Sequence, residues 1–130
     1  MQEAEKVFPY ECCGLLIGHK TVNGVFIASN ATPSPNIAKG NQKNSFELDP
    51  QIRFNVMREL SNGPNKIIGH YHSHPNQTGK PSAKDFQMAF EPELVWIIIP
   101  VKNGLAQRPQ AHILDKKFNQ FREIELYEFN

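Results

Sequence analysis

The chain has 130 residues and a formal net charge of +1, with acidic and basic side chains dispersed along its length. That length can bury a core without disulfide or metal staples, and the dispersed charge offers no basic stripe of the kind nucleic-acid binding demands. The longest apolar run, Leu94-Val95-Trp96-Ile97-Ile98-Ile99, is too short to cross a bilayer, so no membrane role is expected.

The first residues, Met1-Gln2-Glu3-Ala4-Glu5-Lys6, are charged and carry no apolar stretch of the signal-peptide kind. Cys12 and Cys13 are adjacent and poorly placed to bridge each other, which makes a reducing cytoplasm the expected compartment. No repeat, low-complexity tract or linker interrupts the chain, and one domain is expected over residues 1–130.

Residues 1–8 predict a short helix that Pro9 cuts off. From Cys12 to Gly18 the chain is apolar on both faces, the pattern of a buried strand. Val22-Asn23-Gly24-Val25 predicts a turn into a second strand over Val25 to Ser29. Residues 30–44, rich in Asn, Pro, Gly and Ser, predict a long loop, and long loops in small domains tend to carry function. A short strand is expected at Phe46, after which Asp49-Pro50 supplies an N-cap and a first helical residue. The helix sets Ile52, Val56 and Leu60 on one face, with Phe54 and Met57 flanking it, and stops at Asn62-Gly63-Pro64.

Ile67 and Ile68 predict a buried strand that delivers His72 and His74 at its end. A further helix is expected over Ser82 to Phe90 and a central strand over Leu94 to Pro100. Lys102-Asn103-Gly104 predicts a hairpin turn into a strand ending near Leu114. The alternation from Phe121 to Phe129 predicts a last strand. This order implies an α/β fold: a mixed sheet packed by helices and mostly antiparallel toward its C-terminal end.

The segment from His70 to Asp85 carries the chemistry. His72 and His74, two apart on a strand, project to the same face and can reach one ion together. Asp85 comes from the helix beyond a loop-forming stretch, Pro75 to Pro81, so its carboxylate can close a third corner. Three such ligands with a fourth position left for water are a common first shell of catalytic zinc. Glu11, just before the first strand, can serve such a water as general base. Ser82 has two readings: with Asp85 it forms a Ser-x-x-Asp capping box, and its hydroxyl can also face the metal. Cys12 and Cys13 read as small packing residues, and His19, His70 and His112 as structural or exposed groups, although His70 can share the face of His72.

Glu11 with Cys13-Gly14-Leu15-Leu16-Ile17-Gly18, then Gly69-His70-Tyr71-His72-Ser73-His74-Pro75, then Pro81-Ser82-Ala83-Lys84-Asp85, resemble the JAMM metalloproteases, also called Mov34/MPN/PAD-1 proteins. Phe46-Glu47-Leu48-Asp49-Pro50 is similar to the family's segment before its middle helix. The resemblance implies a cytidine deaminase-like fold, a curved mixed sheet flanked by helices. It implies His72, His74 and Asp85 as ligands of one Zn2+, Glu11 as the acid/base residue, and Ser82 as hydrogen-bond donor to the oxyanion. His70 stands where the family often has a bulky aromatic. The chain lacks room for the insertions with which eukaryotic deubiquitinases grip linked ubiquitins, and it looks closer to compact bacterial members.

The implied reaction is hydrolysis of a peptide or isopeptide bond. The implied substrate is a ubiquitin-fold or sulfur carrier protein whose Gly-Gly tail lies in a narrow groove, adding as a strand to a sheet edge. A non-catalytic MPN-type binding scaffold is the second expectation, and the full ligand set argues against it. A zinc deaminase would need a Cys-x-x-Cys, which this chain does not contain.

Overall fold

A computed structural model describes residues 2–87, 91, 93–117 and 119–127. In chain order its elements are α1 (Gln2–Lys6), β1 (Cys13–Lys20), β2 (Phe26–Ser34), α2 (Pro50–Leu60), β3 (Lys66–Pro75), α3 (Ala83–Gln87), β4 (Val95–Lys102), β5 (Leu105–Ala106), β6 (Gln110–Asp115) and β7 (Gln120–Ile124). The strands form one mixed sheet in the order β2-β1-β3-β4-β6-β7, with β5 also paired to β4. Only β3 and β4 run parallel among these pairings. Parallel neighbours need a crossover connection, and this one contains α3.

The central strand β1 is buried from Cys13 to Gly18 because both its faces are covered. Alternation divides its side chains between two cores. Leu16 joins Cys12, Ile68, Tyr71, Ile99, Val101 and Ala4 of α1 on one face. Leu15 and Ile17 point the other way, against Val56 of α2 with Ile52 and Leu60 beside it. Each fully buried aliphatic chain of this kind contributes about 2 kcal/mol. Phe54 and Met57 lie on the outer side of α2 and are more than half exposed. Asp49 caps α2 by accepting from the Gln51 N–H at 3.0 Å, and Pro50 fills the first turn.

Cross-strand packing explains one glycine. Tyr71 lies opposite Gly14, its ring so close that a Cβ there would come within 2.4 Å of its carbons, and its hydroxyl donates to Glu3 Oε1 at 2.7 Å. The pair ties α1 to the middle of the sheet.

Several boundaries differ from the sequence expectation. The second strand runs on to Ser34 instead of stopping at Ser29, and residues 30–34 are not loop. Among the described residues it pairs only with β1, and an edge strand tolerates the polar residues and Pro33 that masked it. Phe46 forms no strand; an isolated bridge between Asn36 and Leu48 closes the base of the loop instead. The return after Asn103-Gly104 is broken into β5 and β6, both beside β4, with Pro109 just before the second piece. β7 ends at Ile124, opposite Ala111 near the start of β6, so Glu125 to Tyr127 have no strand to pair with. α3 begins after Ser82 as expected; residues 88–90, the rest of that expected helix, lie outside the described residues, as do 128 and 129 of the expected last strand.

Candidate metal centre

β3 carries His70, His72 and His74 on one face by strand alternation. His72 and His74 lie in the last four residues of the strand, opposite Ile98 and Pro100 of β4. Both are essentially without solvent exposure. Asp85, in the first turn of α3, meets them: its Oδ2 is 2.9 Å from His74 Nε2 and its Oδ1 3.2 Å from His72 Nε2. The two Nε2 atoms are 3.0 Å apart. One ligand atom from each of the three residues falls within a 4.8 Å group able to hold a metal ion.

The surroundings of each ligand set its chemistry. His74 Nδ1 lies 2.9 Å from the Thr78 carbonyl, which can only accept, so this nitrogen carries a proton and Nε2 is the nitrogen available to a metal. Burial drives the His74 pKa down, but the Asp85 carboxylate outweighs it and the net shift is upward. His72, fully enclosed, is shifted down by burial despite Asp85. Phe46 stacks on the His72 ring with centroids 4.1 Å apart and fixes its plane. For Asp85 burial raises the pKa, yet hydrogen bonds from His72 and His74 prevail and hold it below the usual carboxylate range. Two imidazole nitrogens and a carboxylate converge here within hydrogen-bonding distance of one another. A divalent cation satisfies all three acceptors at once, and this donor set suits zinc chemistry.

Ser82 and Asp85 form the reciprocal capping box. The Asp85 N–H donates to Ser82 Oγ at 3.0 Å, and the Ser82 N–H donates to Asp85 Oδ2 at 2.9 Å. The same hydrogen bond that starts α3 therefore orients the candidate ligand. Ser82 keeps its own hydroxyl proton and remains partly exposed.

Glu11 is 4 % exposed, and its Oε1 is buried without a partner among the described residues. Burial pushes its carboxyl up to about 8, with His74 acting against that shift and Asp85 with it. Those couplings place Glu11 in the electrostatic field of the metal centre. Its backbone is held by the long loop: its N–H donates to the Gln42 carbonyl at 2.8 Å, and its carbonyl accepts from Asn36 Nδ2 at 3.1 Å.

Asn36 is a residue that sequence reasoning passed over. Its amide also donates to the Ser45 carbonyl, and its Oδ1 accepts from the N–H groups of Ala38 and Glu47. One side chain thus folds the 36–48 loop and anchors it to Glu11. Asparagine is a common organiser of turns, but nothing local in the sequence marks this one among several. Ser73 is a second such residue. Its side chain faces away from the histidines, and its Oγ accepts from the Cys12 N–H at 2.8 Å, locking β3 to the residue after Glu11. Cys12 and Cys13 are buried and free, and burial pushes the Cys13 thiol up to about 12. Neither belongs to the metal-competent group. His70 is buried against Trp96 with ring centroids 4.2 Å apart.

A mixed sheet with a His-x-His strand end and an aspartate from the crossover helix defines a JAB/MPN-type domain. The chain matches the Prok-JAB family, prokaryotic homologs of the JAB domain, over residues 1–111, and it belongs to that family. It is 32% identical over 93 residues to the desampylase of Haloferax volcanii, a match covering 69% of this chain. The chain spans 62% of the length of that curated relative. A solution structure of a protein from Desulfitobacterium hafniense superposes with a TM-score of 0.77 at 26% identity, covering 95% of this chain and 82% of that one. A solution structure from Salinibacter ruber gives 0.72 at 23% identity, with 95% and 81% covered. The crystal structure of a JAB1/MPN domain protein from Archaeoglobus fulgidus gives 0.57 at 18% identity, with 96% and 85% covered, and speaks to the fold alone. Among the described residues no helix is long and apolar enough to cross a membrane.

Proposed function

We propose that this chain is a zinc-dependent isopeptidase or peptidase, acting as one JAMM/MPN domain over residues 1–130. Its substrate is the Gly-Gly C-terminus of a ubiquitin-like or sulfur carrier protein, and its place of action is the cytoplasm. The reading is supported by the convergence of His72, His74 and Asp85, and by a buried Glu11 that is electrostatically coupled to His74 and Asp85 and whose Oε1 has no partner among the described residues. Family membership and the likeness to a desampylase support the same reaction class.

His72 Nε2, His74 Nε2 and the Asp85 carboxylate would hold the ion, with the Thr78 carbonyl keeping His74 in the tautomer that leaves Nε2 free for it. Zinc, when bound, supplies Lewis acidity toward the scissile carbonyl and makes water acidic enough to deprotonate near neutral pH. Glu11 takes the proton from the attacking water and passes it to the leaving amine. Burial raises the Glu11 pKa in the metal-free protein, and a nearby dication would act the other way, toward the carboxylate form that accepts the proton. Ser82 accepts the Asp85 N–H and donates its own hydroxyl proton to the carbonyl oxygen as charge develops there.

Two measurements test the proposal together: metal content of protein never exposed to chelator, and cleavage of a ubiquitin-fold modifier joined through its Gly-Gly tail to a lysine or an amino acid. About one zinc per chain and chelator-sensitive release of the modifier are expected. Protein that neither contains nor takes up zinc would be a non-catalytic scaffold of the same fold.

Ser82→Ala separates its two roles. Loss of the cap is expected to lower stability by about 1 kcal/mol, and loss of the oxyanion donor to lower turnover by roughly a hundredfold with KM little changed. Both losses are expected together, read as melting temperature and turnover on one zinc-loaded sample. Wild-type turnover in that sample would leave Ser82 as a cap alone.

A further inference from the structure

We propose that His112 is a positioning residue for the metal centre, acting through the 76–81 loop on the tautomer and orientation of His74. The inference rests on the metal-binding reading above and assigns a role to a histidine two strands away from β3.

His112 sits on β6, opposite Trp96 of β4, and is 3 % exposed. Its Nε2 lies 2.8 Å from the carbonyl of Gly79. A carbonyl cannot donate, so His112 carries its proton on Nε2 and donates it. Gly79 is buried, whereas its neighbours Thr78 and Lys80 are exposed. The loop thus packs onto β6 at Gly79. Gln110, two before His112 and on the same face of β6, packs over the glycine so closely that an added Cβ would come within 2.8 Å of its Cδ. The peptide unit immediately before Gly79 contributes the Thr78 carbonyl, the acceptor of His74 Nδ1–H at 2.9 Å.

The two hydrogen bonds are therefore one residue apart on the same short segment. The other end of the segment is fixed separately, by the Asn76 N–H donating to the Val101 carbonyl at 2.6 Å. If His112 stops donating, the Gly79 carbonyl is buried without a partner and the segment relaxes toward water. The Thr78 carbonyl moves with it. His74 is then no longer held with its proton on Nδ1, and its Nε2 can carry a proton that competes with the ion. Partners in this position characteristically tune metal affinity without touching the metal.

The test compares zinc affinity, by chelator competition, in wild type, His112→Leu and His112→Gln, with the melting temperature of each metal-free protein. His112→Leu is expected to bind zinc about tenfold more weakly, within the range that loss of an outer partner costs. His112→Gln retains an amide N–H that can donate to Gly79 and is expected to recover most of the affinity. A purely structural role would lower the metal-free melting temperature and leave the zinc affinity of folded molecules unchanged; that result overturns the proposal. Equal weakening in His112→Leu and His112→Gln also overturns it, since the donor would then be irrelevant. A measurement on the wild type does not depend on how the variants fold: long-range 1H–15N correlation spectra of the metal-free protein should show His112 protonated at Nε2 and His74 at Nδ1. A His112 protonated at Nδ1 alone cannot donate to Gly79 and sinks the idea. Wild type that binds no zinc at all is a different failure, that of the metal-site reading itself.

Discussion

His72→Ala is expected to strip zinc from the protein and to reduce hydrolysis to background. The residue is fully buried, its ring is clamped by Phe46, and its Nε2 lies within 3.2 Å of both other candidate ligand atoms. No other described side chain joins the metal-competent group to replace it. Apparent zinc-binding free energies of roughly 10–16 kcal/mol shared among a handful of ligands put the loss of one at about a hundredfold or more in affinity. Asp85→Ala should behave alike, because it removes the only carboxylate of the three. Elemental analysis of the purified variants, read beside their circular dichroism spectra, checks this. Stoichiometric zinc in a folded His72→Ala protein would mean that the ligand set is wrong.

Glu11→Gln should part company with the ligand variants. The amide keeps the shape of the side chain but cannot take a proton, so zinc and fold should be retained while turnover falls by roughly two to four orders of magnitude. A second signature follows from its burial. In the metal-free protein the folded carboxyl titrates at about 8, against an ordinary value of 4.5. Below pH 4.5 the group is protonated in both folded and unfolded chains and costs nothing. As pH rises from 4.5 toward 8 the unfolded chain ionises while the folded one does not, and stability falls. The penalty is complete above pH 8 and is on the order of a few kcal/mol. Metal-free Glu11→Gln, which has no such proton to lose, should therefore be more stable than metal-free wild type at pH 8, with the gap closing toward pH 4.5. Zinc should narrow the gap in the wild type, since a nearby dication favours the carboxylate. Urea unfolding at several pH values, with and without zinc, measures both effects; equal stabilities of the metal-free pair at pH 8 would show that Glu11 is not held in a dry site.

Much of the centre was legible because its signals are local. Two histidines two apart on a strand must share a face, whatever the rest of the fold does. Ser82 and Asp85 are three apart across a helix start, and the capping box they form is a property of that one turn. Asp49-Pro50 announced α2 for the same reason. Glu11 lies about sixty residues from the histidines, so no local spacing ties it to them, and its chemistry and the family likeness had to make the link.

What stayed hidden depends on contacts between distant segments. The continuation of β2 to Ser34 could not be read from its side chains, because a polar edge strand is defined by its neighbour's backbone and not by its own pattern. Phe46 looked like a strand residue, yet its ring is spent on His72, and Asn36 rather than any strand organises the loop around it.

The sequence by itself determined the candidate ligands' common face, the cap that aims Asp85 and the buried strands that carry them, since each follows from spacing along a few residues. Only the tertiary structure decided that Glu11 is buried and its carboxyl pKa thereby raised, that Thr78 fixes the tautomer of His74, and that His112 reaches the same loop from two strands away. Burial and hydrogen-bond partnership are properties of the space between segments, and that space exists only once the sheet has brought β1, β3, β4 and β6 side by side.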